Sequence, residues 1–365
     1  MTDATERLPA GDDRPQDRET VALSSTSVGR PAAAGSYTGA MAVEDSLGVA
    51  QPDLALTYES GVEVKARSQW AYARIRFFRH RLAVVSLAVL IIAGIVAIIP
   101  GVFAPYGYDE IPFTDPAKII ENPNIVTESI NQAPTTRDWH LFGTDQLGRD
   151  YLSRVIFGVR TSLSVALFVA ILSTALGTLI GAIAGYYGGV IDNLLMRFTD
   201  LVLTLPGLAV LLTAAAFFGS GDPVKVALIL SFLFWTGIAR IVRGVFLSLR
   251  EKEYVEAAKA AGASDARIII RHMLPNTVGP IIVNATLVVA AAILTEAALS
   301  FLGFGIQPPH PALGSLINEG QGEGTKLWWL VTFPGMVIVL IALAINFVGD
   351  GLRDALDPTQ RRIRA

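Results

Sequence analysis

The chain has 365 residues, of which 52% are hydrophobic and 17% charged, against a charged fraction of about 25% in ordinary soluble domains. A water-soluble globule is excluded, and the net charge of −3 says little because the charges are unevenly spread. The lack of any cysteine removes disulfides, zinc-thiolate sites and iron–sulfur clusters.

Residues 1–64 are rich in Ala, Gly, Pro, Ser, Thr, Asp and Arg, with neither helix nor strand periodicity. Such a segment buries too little apolar area to offset its chain entropy, so a disordered N-terminal tail is expected. The first apolar run begins at Leu82, too deep for a cleaved leader. Six stretches reach the about 20 residues that a helix needs to cross a bilayer: 82–103, 162–184, 200–218, 224–242, 278–302 and 328–348. The expected fold class is an all-α integral membrane protein with six transmembrane helices. Pro206 and Gly207, inside the third run, are expected to be tolerated because neighbouring helices satisfy freed backbone groups. The expected organisation is a basic flank and first span over 65–103, an extracytoplasmic loop over 104–161, a five-helix core over 162–350 and a cytoplasmic tail over 351–365.

Basic residues near the span ends set the orientation. Lys65, Arg67, Arg74, Arg76, Arg79 and Arg81 precede the first span, and Arg353, Arg361, Arg362 and Arg364 follow the last, so both termini are expected in the cytoplasm. The loop 243–277 falls on the same side and carries Arg243, Arg250, Lys252, Lys259, Arg267 and Arg271, whereas 303–327 falls outside with Lys326 alone. The outer segment 104–161 is less clean, with five basic residues among more numerous acids.

Within the 243–277 loop, Glu251 to Ala261 reads as a short helix, with acids in its first turns and Lys259 near its end. Gly262 stands where a helix stops on a left-handed residue. Ser264 suits the cap of a second short helix, which Pro275 is expected to end. By periodicity alone this elbow reads equally well as a docking surface or as a connector lying on lipid headgroups. No GxxxxGK[ST] phosphate loop and no HExxH motif occurs, so ATP hydrolysis by this chain is not expected. The four histidines, His80, His140, His272 and His310, have no ligand spacing, and no metal site is expected.

The string Glu256, Ala257, Ala258, Gly262, Leu274, Pro275 resembles the EAA loop of permeases of ATP-binding-cassette importers. The resemblance implies that these residues, with His272 two before the leucine, form a coupling helix seated on a separate ATPase. Arg271 to Asn276 is similar to the peptide-importer branch. Gly143, Thr144, Asp145, Gly148, Arg149 and Asp150 resemble that branch's entry to the second span, with Asp150 suited to a helix N-terminus. A structural entry turn is preferred there over substrate contact. Leu299 to Gly305 followed by Gln307, Pro308 and Pro309 is similar to its outer loop, and the prolines predict a stiff non-helical rim. Gly349 to Pro358 also matches. The resemblance covers about residues 70–360 and is identified with the C-type subunit of dipeptide, oligopeptide and nickel importers. It implies a bacterial cytoplasmic-membrane subunit working with a homologous second permease, two ATPase subunits that hold ATP and magnesium, and an extracytoplasmic binding protein. No nucleic acid and no cofactor of its own are expected.

Two intramembrane polar residues have open readings. Glu296 in the fifth span is either a substrate-path residue facing a peptide's cationic end or an interhelical hydrogen-bonding group. Asn284, like Asn346, reads as an interhelical contact, and Arg240 and Arg243 as snorkelling side chains. Peptide is the favoured cargo, with nickel chelates or other small solutes as alternatives. A secondary transporter driven by an ion gradient predicts paired broken helices and mid-membrane charges, which are not evident.

Overall fold

The computed structural model describes residues 69–111, 120, 124–136, 139–219, 221–322 and 326–356. The tail over 1–64 and the chain end over 357–365 lie outside the described residues. In chain order the helices are α1 (Gln69–Arg79), α2 (Arg81–Ile98), α3 (Pro100–Phe103), α4 (Ile125–Ser129), α5 (Tyr151–Tyr187), α6 (Gly189–Thr204), α7 (Gly207–Phe218), α8 (Pro223–Arg250), α9 (Glu253–Ala260), α10 (Asp265–Phe301), α11 (Leu313–Gln321) and α12 (Trp329–Leu356). Among the described residues no strand forms; two isolated bridges, Thr144 with Asp150 and Gly221 with Ile306, pin loops.

Among the described residues five helices, α2, α5, α8, α10 and α12, are long and apolar enough to cross a bilayer. The expected third span is not one helix. It divides into α6 and α7, bent by 84°, because Pro206 cannot donate its missing N–H and Leu205 before it is extended. Pro280 and Pro334, by contrast, stay inside α10 and α12. The count of six holds only if the bent pair is one span.

Other boundaries also move. The second span starts at Tyr151, inside the segment expected to be loop, because Asp150 caps it: its Oδ2 accepts from Ser153 N at 2.8 Å. Helix α5 then runs 37 residues, about 55 Å and longer than the hydrocarbon core of about 30 Å. The fourth span continues to Arg250 and the sixth to Leu356, since the basic residues at these ends remain helical. Asp222 caps α8 by accepting from Val224 N at 2.7 Å, with Pro223 in the first turn.

Helices α5 and α8 form the most extensive contact of the bundle. Their backbones meet along Gly177, Gly181 and Gly185, spaced four apart on one face of α5. A Cβ at Gly177 would stand 2.6 Å from the Trp235 carbonyl oxygen, and one at Gly185 2.5 Å from Phe246 Cβ. A Cβ at Gly181 would overlap the Ala239 carbonyl oxygen. Lipid tails are as apolar as leucine, so helices in a bilayer associate through such close packing. Helix α10 lies against α5 and α12, and α12 against α2. Gly351 admits this last contact, since a Cβ there would lie 2.5 Å from that of Ala83.

Candidate functional site

The bundle has two differentiated ends. At the first, α5 finishes and α10 begins, and an elbow is built there from α9 and the first turns of α10. Helix α9 stops in a Schellman motif: Gly262 has φ +77°, its N–H donates to Lys259 O at 2.9 Å, and Ala263 N donates to Ala258 O at 3.1 Å. Ser264 takes the N-cap position of the next helix, with Asp265 in its first turn, but its side chain makes no capping bond.

Pro275 does not end that helix. From Asp265 the chain passes through a π-helical segment, Ile268–Met273, and continues as α10 to Phe301. Proline sits in the first turn after the π segment, where the wider hydrogen-bond ring leaves its position without need of an N–H donor. The expected pair of short helices is thus one short helix and the head of a membrane-length one.

Three fully buried side chains, Val255, Ile268 and Met273, fasten the elbow to Phe246 and Val242 of α8 and Tyr186 of α5. Tyr186 Oη donates to Asp265 Oδ1 at 2.7 Å, Lys259 Nζ lies 5.5 Å above the tyrosine ring, and Arg250 reaches the Tyr186 carbonyl at 3.4 Å. The opposite face is open: Glu256, Ala257, Ala261, Gly262 and Pro275 are exposed, and Ala258, His272 and Leu274 half-buried. Alanine and glycine give this face a low profile on which another backbone can lie closely. The His272 carbonyl accepts from Asn276 Nδ2 at 2.7 Å.

Arg243 and Arg240 are not merely snorkelling. Arg243 pairs with Asp192 through two bonds, Nη2 to Oδ2 at 2.7 Å, and Arg240 pairs with Asp200. Both acids lie on α6, so the half-helix is tied to α8. The Arg240–Asp200 pair is half exposed on both sides, and pairs of that kind contribute about 0–1 kcal/mol.

At the other end, where α5 begins and α10 finishes, the Gly143 to Asp150 motif forms a clasp. Gly143 (φ +76°) and Gly148 (φ +72°) supply left-handed turns. Thr144 is buried: its hydroxyl donates to Ser129 O at 2.6 Å, and its carbonyl accepts from Trp329 Nε1 at 3.2 Å. Asp145 Oδ1 accepts from Leu147 N and Arg149 N, while Oδ2 accepts from Arg149 Nε and Arg154 Nη1, both at 2.7 Å. Arg154 also donates to both oxygens of Glu319 on α11, at 2.7 and 3.1 Å. Asp150 completes the clasp with His140 at 2.9 Å. These contacts join loop, α5, α11 and α12, and the motif residues serve as structural fasteners here.

The rim follows α10. Gln307 is half-buried, its N–H bonded to Gly221 O at 3.4 Å and its Nε2 to Gly303 O at 2.7 Å, while Pro308 and Pro309 are exposed. The segment is non-helical only as far as Ala312, and the nine-residue α11 then occupies ground read as loop. Glu296 is fully buried and accepts from Ser300 Oγ at 2.7 Å, so its resolved bond lies within its own helix. The bond of Asn284 is within its own helix: Nδ2 donates to Pro280 O at 2.8 Å. It borders a groove of about 420 Å³ with Leu203, Phe234, Gly237 and Leu287.

The structure therefore brings Glu256, Ala257, Ala258, Gly262, His272, Leu274 and Pro275 into one elbow, and gathers Gly143 to Asp150 into one clasp. Glu296 and Asn284 are kept apart from both surfaces. The fasteners Tyr186, Glu319 and Asp192 carry no signal in the sequence, and Arg154 follows the Gly143 to Asp150 motif without revealing its partner. Their partners lie 79, 165 and 51 residues away, and only the fold unites them. The glycine stripe was visible as three glycines at a spacing of four.

Residues 177–362 match the family model of the binding-protein-dependent transport system inner membrane component. Residues 68–134 match the N-terminal transmembrane domain of oligopeptide transport permease C. The oligopeptide transport system permease protein OppC of Escherichia coli K12 is 40% identical over 304 residues, 83% of this chain and 96% of that protein. OppC of Mycobacterium tuberculosis H37Rv is 40% identical over 290 residues, 79% and 94% of the two chains. Among solved structures, the inward-facing MetNI methionine ABC transporter is similar at 18% identity and a TM-score of 0.48, covering 56% of this chain and 97% of that one.

Proposed function

The chain belongs to the family of binding-protein-dependent transport system inner membrane components, and on that premise we propose that it passes short peptides inward across the bacterial cytoplasmic membrane as one permease subunit of an ATP-driven importer. Both termini and the elbow face the cytoplasm, as the excess of Lys and Arg around α1 and between Arg243 and Arg271 supports. The clasp and rim face outward, toward an external binding protein. ATP and magnesium are held by two separate ATPase subunits, since this chain carries no phosphate loop. A homologous second permease supplies the other half of the path, and the exposed apolar faces of α6 and α7 suit such a neighbour.

The observation that carries this reading is the elbow: an exposed small-residue helix, locked by a left-handed glycine and three buried side chains onto a membrane-length helix. Force applied to the α9 face reaches α10 without an intervening flexible linker. Gly262 has open space for a side chain, yet any other residue at φ +77° costs about 1–2 kcal/mol. Gly262→Leu is expected to lower peptide uptake and peptide-stimulated ATPase by about 5- to 30-fold, the factor set by that energy, while the complex still assembles. Reconstituted transporter with Gly262→Leu that imports peptide and hydrolyses ATP at the parent rate would rule out the elbow as the coupling element.

A further inference from the structure

We propose that Glu296 is a positioning residue for substrate entry, holding both ends of the rim against the outer ends of α5 and α10. The proposal rests on the importer reading given above and extends it to the opposite end of the molecule. Its basis is a convergence of five residues. Ser300 Oγ donates to Glu296 Oε1 at 2.7 Å and accepts from Ile306 N at 3.0 Å, where the rim begins. Ser162 Oγ on α5 accepts from Leu313 N at 3.2 Å, where the rim ends and α11 starts. The Ser162 hydroxyl also lies against the Glu296 carboxyl group.

Two glycines allow the rim's ends to come so close. A Cβ at Gly305 would overlap Ser300, and one at Gly314 would overlap the backbone of Ala297, the residue after Glu296. The proline-rich stretch between them is otherwise exposed at Pro308, Pro309 and His310. The rim is therefore a short strap with one end hung on Ser300, which bonds Glu296, and the other on Ser162, which stands beside the same carboxyl group.

An aliphatic residue would fill this position without the cost of a buried carboxyl. The two hydroxyls beside it and the amides those hydroxyls accept from are all neutral, and Oε2 of Glu296 has no hydrogen-bond partner. A fully satisfied network would be rigid. With one oxygen left over, the carboxyl group has the slack to keep its bond to Ser300, so the strap keeps its place while α5 and α10 shift past each other. The carboxyl group touches no open surface, so it acts through Ser300 and Ser162 and does not meet the substrate in this conformation.

The absence of native cysteine makes a direct test practicable. Spin labels at His310→Cys on the rim and Arg160→Cys on α5, both exposed, report their separation in the complete transporter with cysteine-free partners in lipid nanodiscs. The parent and Glu296→Gln, which keeps the acceptor, should give one narrow distance distribution. Glu296→Leu should broaden it and raise the peptide concentration for half-maximal ATPase stimulation about fivefold, the factor for one lost hydrogen bond. The maximal rate should stay within about twofold. A narrow distribution in Glu296→Leu, or a broadened one with half-saturation unchanged, overturns the proposal. If Glu296→Leu does not assemble, Ser300→Ala must broaden the distribution in its place, and a narrow one there is equally decisive against it. Parent transporter that ignores peptides would instead sink the importer reading, while the spin-label distances still judge the strap.

Discussion

Gly181→Leu is expected to leave almost no monodisperse protein in detergent, and Gly181→Ala to lower the melting temperature measurably. Even the methyl of alanine would overlap the Ala239 carbonyl oxygen on α8, with Val242 Cβ 2.9 Å away. The obstacle is backbone, which cannot rotate aside as a side chain can. Overpacking of this kind costs about 1–3 kcal/mol for a methyl-sized intrusion, and leucine brings three more carbons to the same point. The helices must then separate along the stripe from Gly177 to Gly185, giving up the largest contact in the bundle. Gly94 on α2 is the control, because a Cβ there meets nothing within 4 Å. Gly94→Leu should elute and melt like the parent. If size-exclusion profiles of Gly181→Leu and Gly94→Leu coincide, close α5–α8 contact is not what holds the bundle together.

Arg154→Ala is expected to cost about 3–5 kcal/mol, the usual penalty for removing one partner of a buried charged network. The guanidinium side chain is 4% exposed and bridges Asp145, 6% exposed, to Glu319, 32% exposed. Its loss leaves Asp145, on the inner side of the clasp, with Arg149 as its one remaining cationic partner among the described residues. Arg154→Lys should recover only part of the loss, because a single ammonium cannot reproduce the fork that serves both acids. Glu319→Gln should be milder, since a third of that side chain already faces solvent. Thermal unfolding of the purified variants gives the order directly: Arg154→Ala lowest, then Arg154→Lys, then Glu319→Gln. An Arg154→Ala protein as stable as Glu319→Gln would mean that the clasp bears little of the load assigned to it.

What could be read from the sequence was what depends on local chemistry or on long apolar runs. The apolar stretches placed the membrane helices, and Gly262 marked the end of α9 because a left-handed stop favours glycine whatever lies around it. Asp150 announced the start of α5 for a similar reason, yet the span was begun at 162. Arg154 and Arg160 argue against membrane there until Glu319 is known to meet the first of them. Pro275 misled because its usual effect supposes an α-helical turn before it, whereas the preceding turn is π. Pro206 misled in the reverse sense: the helix breaks there by 84°. The pairings of Arg243 with Asp192 and Tyr186 with Asp265 had no local signature at all. The spacing of Gly177, Gly181 and Gly185 did, and it marks a crossing where backbone meets backbone.

The continuity of α10 gives the molecule leverage. Glu296 stands 31 positions along the helix from Asp265, about 46 Å at 1.5 Å per residue. If the helix tilts as one body about its elbow, a rotation of about 5° carries the far carboxyl some 4 Å sideways, by that same geometry. That displacement exceeds the length of any hydrogen bond at the rim. A small rocking at the elbow would thus be amplified along α10 into a displacement that the strap at its far end must follow to keep its bonds.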